Sequence, residues 1–186
     1  MKIINLIPIG LVFLLCTCKK AQSPATGLPN ATQEGKNTIG FTIGDKVWVP
    51  YVQCSFFQAP CSEYAASYGP PGTLPNMLSF SFSRQINGKM SSLHISSLDI
   101  GTITSTGDKT DSIYVSFKSE DADGLNGRYA GPAAGSKFII TKLDMQNRII
   151  SGEFGLVLQE ENFSNKNLIL REGRFDFVFN ACRCSP

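Results

Sequence analysis

Along the C-terminal quarter of the chain, apolar and polar positions alternate with a period of two. Ile150, Phe154, Leu156 and Leu158 share one parity, with Ser151 and Glu153 on the other. After the polar stretch EENFSNK, Ile169, Phe175, Phe177 and Phe179 alternate with Glu172, Arg174 and Asp176. Side chains two apart on a strand share a face. The pattern therefore predicts two long strands, each with one apolar and one largely polar face, turning at EENFSNK.

Shorter segments repeat the pattern upstream. IGFTIGDKVWV (39–49) reads as a hairpin turning at Gly44-Asp45, where glycine supplies a positive φ. MLSFSFSR places Leu78, Phe80 and Phe82 inward against Ser79, Ser81 and Ser83, and Asn87-Gly88 is a strong type I′ turn signal. The return strand KMSSLHI puts Leu93 and Ile95 inward and His94 outward. SIYVSFK gives Ile113, Val115 and Phe117 one face, KFIITKLD is a further strand, and residues 145–148 turn the chain. Eight to ten strands with short turns, and no helical period outside the N-terminus, predict an all-β domain, either an antiparallel β-sandwich or a lipocalin-like β-barrel.

The longest irregular stretch is QAPCSEYAASYGPPGTLPN (58–76). Long loops are usually functional or pinned, so Tyr64 and Tyr68 are candidate ligand contacts, set against a reading in which they cover one end of the sheet. Trp48, the only tryptophan, is weighed in the same way: a ligand platform or a core anchor.

The N-terminus reads as an address. Lys2 precedes the apolar run IINLIPIGLVFLL, which is shorter than the ~20 residues that cross a bilayer and fits a secretory signal peptide. Leu15-Cys16-Thr17-Cys18 resembles a bacterial lipobox, which would make residues 1–17 a lipoprotein signal peptide and Cys18 the lipidated residue. Residues 18–38 are Pro, Gly, Ser, Thr, Asn and Gln with few charges, and read as a flexible tether. Residues 39–186 form the single β-domain.

Composition narrows the function classes. The chain has 186 residues, 42% hydrophobic and 17% charged, with a formal charge of +2. Lys and Arg are scattered, so no nucleic-acid surface is expected. His94 is the only histidine and has neither a Ser–His–Asp order nor metal-ligand spacing around it. The acidic turn SEDADGLNG invites calcium through Asp121, Asp123 and Asn126, but EF-hand spacing fails at Leu125, and a solvated turn is the better reading. No nucleotide loop or paired carboxylate constellation stands out, so no catalytic residue, cofactor or metal is expected. Asn30-Ala31-Thr32 and Asn162-Phe163-Ser164 match the glycosylation tripeptide and are read as chance.

Beyond Cys16 and Cys18 four cysteines remain: Cys54, Cys61, Cys182 and Cys184. An even number in an exported domain suggests disulfides. Cys182 and Cys184 are too close to pair with each other comfortably, so one of Cys54 and Cys61 is expected to pair with each of them. The rival is a four-cysteine zinc site, which C-x₆-C and C-x-C spacings fit poorly.

Several motifs together resemble the small lipoproteins of Bacteroidota that carry a β-rich domain of unknown function. These are the Leu-Cys-Thr-Cys-Lys-Lys start, Ile43-Gly-Asp-Lys-Val-Trp48, Leu125-Asn-Gly-Arg-Tyr129, Thr141-Lys-Leu-Asp144, Ile150-Ser-Gly-Glu-Phe154 and Glu172-Gly-Arg-Phe-Asp176. The resemblance spans most of residues 39–179 and implies an exported β-domain without supplying an activity. The cysteine-bearing loop and the C-x-C tail depart from it. Asp111-Ser112-Ile113 resembles the O-glycosylation signal of the same phylum, with Ser112 as acceptor. The expectation is a lipid-anchored domain of the cell envelope, at the outer membrane and facing the periplasm, that binds a small molecule, glycan or protein without catalysis. The alternative is a structural or assembly component with no small-molecule ligand.

Overall fold

The computed structural model describes residues 27–51, 64–69, 77–97, 106–120 and 124–181, by backbone alone at 64–69, 77–78, 97, 163–165 and 180–181. The strands are β1 (Thr38–Ile43), β2 (Lys46–Trp48), β3 (Tyr64–Gly69), β4 (Met77–Ile86), β5 (Lys89–Ser97), β6 (Gly107–Asp108), β7 (Ile113–Glu120), β8 (Asn126–Gly131), β9 (Lys137–Asp144), β10 (Ile149–Glu160), β11 (Phe163–Val178) and β12 (Asn180–Ala181). One 3-10 turn, Thr110–Ser112, precedes β7. The fold is all-β, as expected: a largely antiparallel sheet curled into a half-barrel.

The order β12-β3-β4-β5-β7-β8-β10-β11-β1-β2 runs through the sheet, with β9 on β10 and β6 on β9. β10 is the branch point. β11 lies along one edge, while the other edge takes β9 over Ile149–Gly155 and β8 at Gln159 and Glu160. Tyr51, just past β2, then forms a parallel bridge to Arg84 of β4. Its N–H donates to Ser83 O and its carbonyl accepts from Gln85 N–H. Arg84 adds a 3.1 Å bond from its guanidinium to Val49 O. The β2 end of the curled sheet is thus tied back to β4.

The turns form where their chemistry places them. Asn87 and Gly88 both have positive φ, 50° and 78°, and set the β4–β5 register with Ile86 opposite Lys89. Gly44 has φ 57° in the β1–β2 turn. Asp144 accepts the Asn147 N–H and side-chain amide, closing the β9–β10 turn.

The concave face is packed with aromatic rings. Phe41 stacks on Trp48 at 4.7 Å and meets Phe117 of β7 edge-on. Phe82 of β4 stacks on Phe177 of β11 at 5.1 Å. β4 and β11 are not sheet neighbours, so these contacts close the interior across the curl. Each pair adds about 0.5–1.5 kcal/mol beyond its area burial.

Two expectations are corrected in β10–β11. The turn is tighter than EENFSNK: Glu160 pairs with Phe163 and only Glu161-Asn162 link the strands. Ile169 does not share the face of Phe175, Phe177 and Phe179; it is 42% exposed, while Leu168 and Leu170 are buried. The cause is a β-bulge. Phe154 opposes Gly173 but Leu156 opposes Leu170, so Arg171 and Glu172 together face Gly155. Glu172 has φ 53°. One extra residue reverses the parity of every position before it.

Candidate functional site

Asp176 stands on the outer, polar face of β11 by its parity, yet it is only 1% exposed. Residues 27–37 cover it. Its Oδ2 accepts from Thr32 Oγ1 at 2.5 Å and from the N–H groups of Glu34 and Lys36, both at 3.1 Å. Its Oδ1 accepts from Gly35 N–H at 2.9 Å and from Ser151 Oγ at 2.7 Å. Three successive N–H groups converge because Gly35 has φ 72°; such a turn is an anion-binding nest, filled here by the chain's own carboxylate. Burial, the largest single effect, pushes the Asp176 carboxyl up; the bonds from Thr32, Ser151, Lys36 and Gly35 outweigh it and hold the pKa at about 2.

Further contacts fasten this strap. Lys142 Nζ donates to Gln33 O, and Asn37 Oδ1 accepts from Val178 N–H. Pro29 lies over Gly40, where a Cβ would fall 2.5 Å from the proline ring. The expected flexible tether of residues 18–38 is therefore corrected from Pro29 onward. Four hydrogen bonds from the strap to one buried carboxylate outweigh the composition bias toward disorder.

Beside the strap, the outer face of β9–β10–β11 holds a groove of about 580 Å³. Ile139 and Gly155 form its floor, Lys137, Glu153, Glu172 and Arg174 its charged rim, and Ala31 one edge. Glu153 sits directly between Ile139 and Arg174, and Gly155 opposes Lys137. A smaller recess of about 80 Å³ continues beneath Asn30–Gln33.

The residues singled out from sequence fall elsewhere. Trp48, weighed as a ligand contact, is a core anchor, 2% exposed, with its indole N–H donating to Ser91 Oγ at 2.9 Å. One edge of it lines a depression of about 320 Å³ beside Ile43, Lys46 and Leu125. Tyr64 and Tyr68 lie in β3, and their side chains are outside the described residues, as are Cys18, Cys54, Cys61, Cys182, Cys184, Asp121 and Asp123. Ser112 is half-exposed in the 3-10 turn, its N–H donating to Lys109 O. Among the described residues no three His, Cys, Asp or Glu side chains gather as metal ligands.

The structure also brings together a pair that the sequence reading did not. Ser81 Oγ and His94 Nδ1 share a 2.8 Å hydrogen bond. The Asn87-Gly88 turn fixes that register, so the pairing was accessible from sequence. Partial burial lowers the His94 pKa. The cross-strand row continues to Ser116, so Ser81–His94–Ser116 contains no carboxylate to orient the imidazole as a nucleophile's base requires.

Comparison with known proteins finds no matching family model, no similar curated protein and no similar solved structure.

Proposed function

We propose that the chain is a lipoprotein of the bacterial cell envelope, held at the outer membrane through lipid on Cys18, whose β-domain binds a ligand without transforming it. The observation that carries this reading is the docking of the strap. The domain begins at Pro29 rather than at the first strand, which leaves 11 residue steps from Cys18 (29 − 18). An extended chain spans at most about 3.3–3.6 Å per residue, so the sheet stays within roughly 40 Å of the lipid. So short a leash suits a domain that works at a membrane surface.

Binding rather than catalysis is supported by the side chains. Among the described residues the Ser81–His94–Ser116 row carries no orienting acid, whereas the groove has the volume of pockets that hold small ligands and presents charges of both signs. The resemblance to Bacteroidota lipoproteins supports the address. Lys19-Lys20 after Cys18, in place of an acidic tract, supports the periplasmic face.

Mass spectrometry of membrane-purified protein tests the proposal. A diacylglycerol-modified, N-acylated Cys18 as first residue is expected. A soluble product beginning at Pro24 or later contradicts it.

A further inference from the structure

We infer that the groove over Gly155 is a binding site for a small zwitterion, a free amino acid or short peptide whose carboxylate is met by Lys137 and Arg174 and whose ammonium is met by Glu172 and Glu153. The inference rests on reading the domain as a binding module and names the ligand class and the site.

Two residue choices meet across the β-bulge at this groove, and neither is the one that backbone sterics alone would select. Glu172 holds a left-handed backbone, φ 53°, a region that disfavours residues with a Cβ and is found at sites where function maintains the strain. Glycine would relieve the strain, yet a long acidic side chain stands there, exposed at the groove rim. Gly155 lies inside the long strand β10, where glycine weakens a sheet. Neither its conformation nor its surroundings call for glycine: its φ is not left-handed, and an added Cβ would meet only Leu170 O at 3.9 Å. Gly173, directly after the bulge, differs, because a Cβ there would fall 2.3 Å from the Phe154 ring. What bare Gly155 does provide is the groove floor. A glycine inside a strand marks a bulge or a place where another molecule approaches the backbone; Gly155 stands opposite the bulge, and its missing side chain leaves the groove open to such a molecule.

The chemistry of the occupant follows from the rim. Lys137 stands on β9 and Glu172 on β11, on either side of Gly155, so their Cα atoms are about two strand spacings, roughly 10 Å, apart. Glu153 and Arg174 form the directly opposed pair next to them. A polyanion would be drawn to Lys137 and Arg174 and repelled by both glutamates. A cation would meet the reverse. A wholly apolar ligand would desolvate four charges without replacing their hydration. A molecule with both an ammonium and a carboxylate satisfies both signs, and its apolar side chain can lie on Ile139.

Equilibrium dialysis of the detergent-solubilised full chain against radiolabelled alanyl-leucine tests this, with N-acetyl-alanyl-leucine amide as the uncharged control. Saturable retention at millimolar peptide is expected, weaker by about tenfold or more for the blocked peptide. Gly155→Val, which fills the floor, and Glu172→Gly, which relieves the backbone, should each abolish retention while leaving the thermal midpoint unchanged or higher. The inference is overturned if alanyl-leucine is not retained, if the blocked peptide binds equally, or if both variants lower the midpoint, which would give the two residues a structural purpose. Retention undiminished in both variants also overturns it, because the peptide then binds elsewhere; that outcome leaves the binding module standing and condemns only this site.

Discussion

Thr32 and Asp176, 144 positions apart in the chain, share a hydrogen bond of 2.5 Å. It is one of five that converge on the same carboxylate, and it makes the segment before the first strand part of the domain. The bond places a polar strap on a polar sheet face, where hydrophobic patterning has no part in the docking.

Replacing Asp176 with Asn should free the strap. The amide would turn at least one N–H against the three backbone donors that now meet oxygen. Leaving buried donors unmet costs about 2–3 kcal/mol, to be read as a lower midpoint in urea unfolding with an unchanged slope. Thr32→Val, which removes one donor of the five, should cost about 1 kcal/mol.

The same carboxylate sets an acid limit. Its folded pKa of about 2 lies below the ordinary 3.8. A depressed folded value stabilises the fold above the unfolded pKa, and the contribution is lost as pH falls from about 4 through about 2. The difference corresponds to about 2 kcal/mol. Unfolding free energy measured between pH 5 and pH 2 should fall by that amount in the parent chain, with a correspondingly flatter profile in Asp176→Asn.

Trp48 reports on the interior. Stacked on Phe41 and hydrogen-bonded to Ser91, it should emit at short wavelength and resist quenching by iodide. Trp48→Phe keeps a ring but loses the bond and volume, at a cost of about 1–3 kcal/mol. A solvent-like emission maximum in the parent would contradict the packing.

Gly152 and Gly173 lie under rings of the opposing strand. A Cβ on Gly152 would fall 2.2 Å from Ile139 O and 2.5 Å from the Phe175 ring, and one on Gly173 2.3 Å from the Phe154 ring. Each residue is the register partner of the phenylalanine that covers it. Gly152→Ala and Gly173→Ala should each destabilise by about 1–3 kcal/mol, measured by thermal unfolding, in contrast to Gly155→Val.

The strands were legible because alternation and turn residues carry local information. Asn87-Gly88 fixes its hairpin, and Phe80, Phe82, Val115, Phe117, Phe154 and Phe177 all face inward as their parity requires. The bulge was not legible: Glu172 has none of the usual preference for left-handed backbone, so the reversal that exposes Ile169 left no mark. Parity alone places Asp176 on the polar face of its strand, between two inward phenylalanines, and it stands there although it is buried. Its burial depends on a segment 140 residues away whose composition resembles a linker. Gly35 was the one local hint, a glycine that lets consecutive N–H groups turn toward an anion. The groove was equally hidden, since Gly155 and Glu172 meet only through register.

Native-state hydrogen exchange at the Glu34, Gly35 and Lys36 amides tests the strap most directly. If it is part of the fold, these three should be protected, should exchange together, and should lose their protection in Asp176→Asn while the β10–β11 amides keep theirs. Exchange at the rate of an unstructured chain in the parent protein would contradict the docked strap and restore a long free tether between Cys18 and the sheet.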